Sequence, residues 1–157
     1  MDKEESEFTL EDLQTALTAG GIVHFTAKEI TYLPKSKREK YIVPQGQLFE
    51  NMVNVAYLAE HIRLALGAPL TVSSGYRPEW YNTAVGGAPN SAHLRAAALD
   101  LNAHSSNDAL KLKSIAEMMW KGQEYRFAGL GFYQNVPRRI HIDVMHPDGK
   151  GRRRWSK

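Results

Sequence analysis

Between Gln47 and Leu66 the apolar residues Leu48, Met52, Val55, Ala59, Ile62 and Leu66 recur at steps of three and four. That spacing predicts a long helix with one core-facing stripe, ended by Gly67. A shorter stripe, Leu10, Leu13 and Leu17, predicts a helix capped by Thr9, with Glu11 and Asp12 in its first turn, and closed by Gly20-Gly21. Thr26 and Glu29 have capping-box spacing for a helix of one or two turns. Leu110, Leu112, Ile115, Met118 and Met119 mark another helix, from about Asp108 to Lys121, capped by Ser106 or Asn107. Alternation replaces the helical period in Pro69 to Ser73, in Gly129 to Tyr133 and in Ile140 to Val144, and these read as strands. The Ala96 to Leu101 run leads into a further strand carrying Asp100. The predicted class is α+β, a small antiparallel sheet flanked by helices.

Three stretches lack either period. Ser36 to Gln45, bounded by Pro34 and Pro44, reads as a basic loop. Gly75 to Pro89 is a long excursion rich in Gly, Pro, Tyr and Asn, and long ordered loops in small domains usually carry function. His146 to Lys157 reads as a polar loop with Trp155 as its only large apolar group. Residues 1 to 7 are polar and read as disordered. No repeat or linker divides the chain. Residues 1–24 are read as an extension with a short helix, and 25–157 as the functional domain.

Composition narrows the chemistry. At 157 residues, with 43% hydrophobic and 24% charged, the chain is long enough for one core and has the balance of a globular protein. The net charge of +3 is mild. Its excess in Lys35 to Lys40 and in Arg152-Arg153-Arg154 reads as solvated face. No stacking platform or recognition motif accompanies the basic runs, so nucleic acid is not an expected partner. There is no cysteine, so any metal must be held by nitrogen and oxygen. The acidic start, Met1-Asp-Lys-Glu-Glu-Ser-Glu7, has no apolar core of a secretory signal, and no later stretch is long enough to span a membrane. The expectation is synthesis in the cytoplasm, with action elsewhere requiring release.

His93 and Asp100 stand seven apart in Ser91-Ala-His-Leu-Arg-Ala-Ala-Ala-Leu-Asp100, with small residues between them. In Ile140-His141-Ile142-Asp143-Val144, His141 and Asp143 share one strand face and the apolar residues share the other. Two imidazoles and a carboxylate, with the fourth position left for water, suit a catalytic zinc ion. Arg77 sits in the long loop upstream.

These residues are similar to a known pattern. The zinc D-Ala-D-Ala metallopeptidases of bacterial cell walls and phage lysins carry Ser-x-His-x-x-Gly-x-Ala-x-Asp, and Ser91 to Asp100 resembles it with Ala96 in place of glycine. Ser74-Gly-Tyr-Arg-Pro78, Tyr81-Asn82 and Val85-Gly-Gly-Ala-Pro-Asn-Ser91 look like that family's substrate approach. Gly129-Leu-Gly-Phe-Tyr133 and Ile140 to Val144 look like its closing strands, and Phe25 to Glu29 like its entry. The resemblance covers about Phe25 to Val144. It implies a hedgehog/D-Ala-D-Ala peptidase-like fold with zinc at the sheet edge, held by His93, Asp100 and His141. It implies that Arg77 binds substrate and stabilises the developing oxyanion, and that Tyr76 and Ser91 lie on the substrate side. For Ser91 a local turn or cap is an equal reading. Many members place a carboxylate or histidine just before the last ligand; here Asn135 to Arg139 contains neither. Asp143 then stands either as general base or as the acceptor that orients a ligand imidazole, with His146 a distant third candidate for the base.

The function implied is a zinc peptidase acting on peptidoglycan peptides, as carboxypeptidase or cross-link endopeptidase, in a phage or prophage setting. The alternative is a zinc-binding homologue of low or no activity that binds cell wall or serves in a virion.

Overall fold

The computed structural model describes residues 7–145 and 152–157. Five helices and five strands follow in the order α1 (Leu10–Ala19), α2 (Ala27–Thr31), α3 (Gln47–Leu66), β1 (Leu70–Ser74), α4 (Glu79–Ala84), β2 (Ala98–Ala103), α5 (Ser106–Lys121), β3 (Gly129–Phe132), β4 (Arg139–Asp143) and β5 (Arg153–Ser156). Capping boxes close the starts of α1, through Thr9 and Asp12, and α2, through Thr26 and Glu29. Gly67 ends α3 at φ 69°, a left-handed conformation that glycine adopts without a steric penalty. α5 begins two residues before the expected Asp108, because Ser105 caps it by accepting from the Asp108 amide.

The sheet runs β1-β2-β4-β3-β5. Its first four strands pair antiparallel, as expected, but β5 adds to β3 in parallel, so the sheet is mixed. This corrects the reading of the tail as a polar loop. β5 bonds through its backbone and turns Arg153 and Trp155 to one face, so it needs no apolar run. The three arginines are not a free solvated face either. Arg152 lies over the Trp120 ring, Arg153 pairs with Asp143, and Arg154 pairs with Glu117.

Period-two alternation divides the sheet's labour. Leu99, Leu101, Leu130, Ile140 and Ile142 are fully buried in the core with Met52, Val55, Ala59 and Ile62 of α3 and Leu112 and Ala116 of α5. Asp100, His141, Asp143, Gly129 and Gly131 fall on the opposite face. Leu13, Leu17 and Ile22 are buried in that same core, so the expected boundary at residue 25 does not coincide with a break in packing.

Register makes the second face into a device. Ser74, Asp100, His141, Gly131 and Trp155 stand side by side across all five strands. One step along lies a second row, Ala98, Asp143, Gly129 and Arg153. Asp100 and His141 sit on β2 and β4, inside the strand order, so the expected placing of the site at a sheet edge is corrected to the middle of one face.

Candidate metal centre

His93 reaches this face from a 3-10 turn, Ala92–Arg95, that lies over the sheet. Ser91 caps the turn by accepting from the His93 amide at 3.2 Å. Ala96 then reverses the chain at φ 54°, ψ 26° and feeds it into β2. A left-handed residue at this point explains why a glycine suits it and why the methyl of Ala96 is tolerated only under strain. Relief of that strain returns roughly 1–2 kcal/mol. Losing a fully buried methyl costs about 0.8 kcal/mol, and the freer unfolded chain about 0.4–1 kcal/mol. Ala96→Gly is therefore expected to shift the unfolding free energy by less than about 1 kcal/mol in urea titration; a larger gain would show that strain outweighs the methyl.

His93, Asp100 and His141 offer ligand atoms that all lie within 4.8 Å of one another, and all three residues are buried. His93 Nδ1 lies 2.8 Å from the Gly75 carbonyl, which can only accept, so Nδ1 carries the proton and Nε2 bears a lone pair. Nε2 has no hydrogen-bond partner among the described residues and faces Asp100 Oδ1 at 3.4 Å. His141 Nε2 lies 2.7 Å from Asp143 Oδ2, while its Nδ1 lies 3.2 Å from the same Asp100 Oδ1. His93 Nε2 and the Asp100 oxygen thus meet with lone pairs inward, and His141 Nδ1 turns to the same oxygen, an arrangement that a cation between the three would satisfy. Tetrahedral ligands about 2 Å from zinc stand about 3.3 Å apart, and the separations of 3.4 and 3.2 Å agree. The donor set fits zinc.

The electrostatics point the same way. Burial pushes the His93 pKa down, against the pull of Asp100, which favours the neutral ligand form. Burial would raise Asp100, but His93 and His141 hold it well below the usual carboxylate range. Burial also opposes charge on His141, yet hydrogen bonds that it donates to Asp100 and Asp143 outweigh it and lift His141 to about 9. A proton there is held by two carboxylates that a dication would satisfy better.

The other expected residues fall around this centre in distinct ways. Arg77 lines a cleft of about 370 Å³ with His93, Asp100 and His141. Its amide bonds the His93 carbonyl at 3.0 Å and its Nη2 donates to Ser91 Oγ at 3.3 Å. Ser91 therefore serves as cap and as guanidinium holder at once. Tyr76 lines an adjoining cleft with Asn82, Asn90, Ser91 and Arg95 rather than the metal cleft itself. The two clefts share Gly87, Asn90 and Ser91 in their linings, so they are neighbours. Asp143 is fully buried on the far side of the His141 ring. One of its oxygens faces His141 Nε2, and the other accepts from Arg153 and from the Met145 amide. His146 lies outside the described residues.

Three residues near the centre were not singled out from the sequence. Tyr133 donates its hydroxyl to Asp100 Oδ1 at 3.1 Å, and burial with the Asp100 charge pushes its pKa up, so it remains a donor. The Trp155 ring stands 5.3 Å from that of His141 and 5.2 Å from that of Tyr133. Arg139 also lines the cleft, anchored through Nε to Asn102 Oδ1 at 3.0 Å. The one available signal was the lone tryptophan in a charged tail.

The glycine of the upstream Ser-Gly-Tyr-Arg motif has a steric duty. A Cβ at Gly75 would run into the Ile30 carbonyl of α2, while its own carbonyl orients His93.

Among the described residues, no helix is long and apolar enough to cross a membrane. The family described as Peptidase M15 matches residues 23–143. No curated protein matches the chain.

Proposed function

Since the chain belongs to the peptidase M15 family, we propose that it is a zinc-dependent peptidase that hydrolyses peptide bonds in bacterial peptidoglycan. The observation that carries this reading is the convergence of His93 Nε2, Asp100 Oδ1 and His141 Nδ1 at the floor of an open cleft. His93, Asp100 and His141 are the residues that would hold the ion. Zinc in such a site polarises a carbonyl and lowers the pKa of its water toward neutrality.

The chain's own groups supply the rest. Gly75 fixes the tautomer of His93, and Asp143 fixes that of His141. Arg77, fixed through Ser91, presents a positive charge where the scissile carbonyl oxygen gains negative charge. Tyr133 keeps its proton and steadies Asp100. Of the two roles open to Asp143 we favour positioning, because both of its oxygens are engaged and none faces the cleft. A second cleft beside the metal cleft is compatible with carboxypeptidase or endopeptidase action on D-amino-acid bonds. Action on the wall follows release by lysis or carriage in a phage particle.

A second reading has one observation in its favour. Asp100 is the only acidic side chain lining the metal cleft among the described residues, and none of these offers a second carboxylate there to take the proton of the attacking water. On that reading the protein binds zinc and wall without cutting. Digestion of purified sacculi separates the two. The peptidase is expected to release muropeptides, to lose that activity in a chelator and to regain it with added zinc. Near-stoichiometric zinc with no product would favour the binding protein; absence of zinc would reject both.

A further inference from the structure

We propose that Arg153, on the last strand, is a positioning residue for the zinc ligand His141, acting across the sheet through Asp143. The proposal rests on the reading of His93, Asp100 and His141 as the zinc ligands.

β5 is two strands away from β4, yet its arginine reaches β4's carboxylate. Gly129 makes this possible. It lies between Arg153 and Asp143 in the register, and a Cβ there would collide with the Asp143 carboxylate. Through that gap Arg153 Nη2 donates to Asp143 Oδ1 at 2.7 Å and to the Met145 carbonyl at 2.7 Å. Asp143 Oδ2 is left for His141 Nε2 at 2.7 Å. Asp143 has no exposed surface, and a fully buried carboxylate is costly without a charged partner. Arg153 is its only arginine or lysine partner among the described residues. Without the guanidinium, Asp143 loses both its counter-charge and the Nη2 donor that holds its Oδ1, and the imidazole loses its fixed orientation. Gly131 repeats the device one row along. A Cβ there would strike the Trp155 ring, which passes over the strand to the His141 ring. β5 thus backs one metal ligand with a charge and a ring, each let through by a glycine of β3.

The test measures zinc affinity directly, by competition with a chromophoric chelator, in the full-length protein. Arg153→Ala is expected to weaken zinc binding about 10- to 100-fold, the usual effect of removing a group that orients a metal ligand. Arg153→Lys should recover part of the loss, since an ammonium restores the charge and can donate to both oxygens that Nη2 serves, but from a side chain of different length. Arg154→Ala serves as the strand control, because Arg154 faces the other side and pairs with Glu117 at 2.8 Å; its zinc affinity should equal that of the wild type. Arg153→Gln guards against a failure of Arg153→Ala to fold, and the same loss is expected. Wild-type affinity in a folded Arg153→Ala or Arg153→Gln protein would overturn the proposal. So would an equal loss in Arg154→Ala, which would assign the effect to the strand and not to the guanidinium. Failure of the underlying reading looks different: there, His93→Ala would keep its zinc.

Discussion

His93→Ala is expected to leave a folded protein that no longer retains zinc and has lost peptidase activity by roughly three orders of magnitude or more. The metal contributes several kcal/mol of charge stabilisation to the reaction, and each 1.4 kcal/mol is a factor of ten in rate. His93 is the cleanest ligand to remove. It sits on a short turn over the sheet, 1% exposed, and its ring bonds the backbone only at Gly75. Its loss opens space beneath the cleft without breaking a strand pair. Asp100 and His141, by contrast, are held to one another and to Tyr133 and Asp143, so their removal disturbs more than the metal. Metal analysis after dialysis, read beside circular dichroism, checks the outcome. Stoichiometric zinc in His93→Ala would show that the ligand set is wrong.

Arg77→Ala should separate chemistry from metal binding. The guanidinium is fixed at one side of the cleft by Ser91 and by its own amide on the His93 carbonyl. Removing a preorganised donor from a developing oxyanion typically lowers kcat by about 10²- to 10³-fold. Zinc content should not change, because Arg77 contributes no atom to the ligand set. Arg77→Lys should restore little, since a lysine lacks the flat fork that is held on one side by Ser91 while it points to substrate from the other. Steady-state kinetics on a peptide substrate, with zinc measured on the same samples, decides it. A rise in KM with kcat intact would recast Arg77 as a group that binds substrate and transition state alike.

How much of this was legible depended on how local each signal is. The bounds of α3 were readable because the apolar stripe and Gly67 lie within the helix or next to it. The two threonine caps were readable for the same reason. The convergence of His93, Asp100 and His141 was readable because Ser91 to Asp100 and Ile140 to Val144 are dense motifs. α4 was hidden in the long loop, since six residues after Pro78 are too few to establish a period. β5 was hidden because a strand can be specified by its neighbour's backbone rather than by its own alternation, and two arginines, a tryptophan and a serine look like a tail. The orientation of Asp143 was hidden for a deeper reason. Whether a carboxylate faces an open cleft or the back of an imidazole depends on who else claims its oxygens. Here one claimant, Arg153, comes from a strand whose existence was not apparent.

The row from Ser74 to Trp155 also bears on when the site comes into being. Its members are drawn from positions 81 apart in the chain and are joined only by sideways pairing, the kind of contact that closes long loops and forms late. The helices can form early and locally, but α3 and α5 pack on the opposite face of the sheet and supply none of the three residues His93, Asp100 and His141. On the proposed reading, zinc would be captured by a nearly finished fold and would not seed one, so loading of the ion would mark that folding has reached its end.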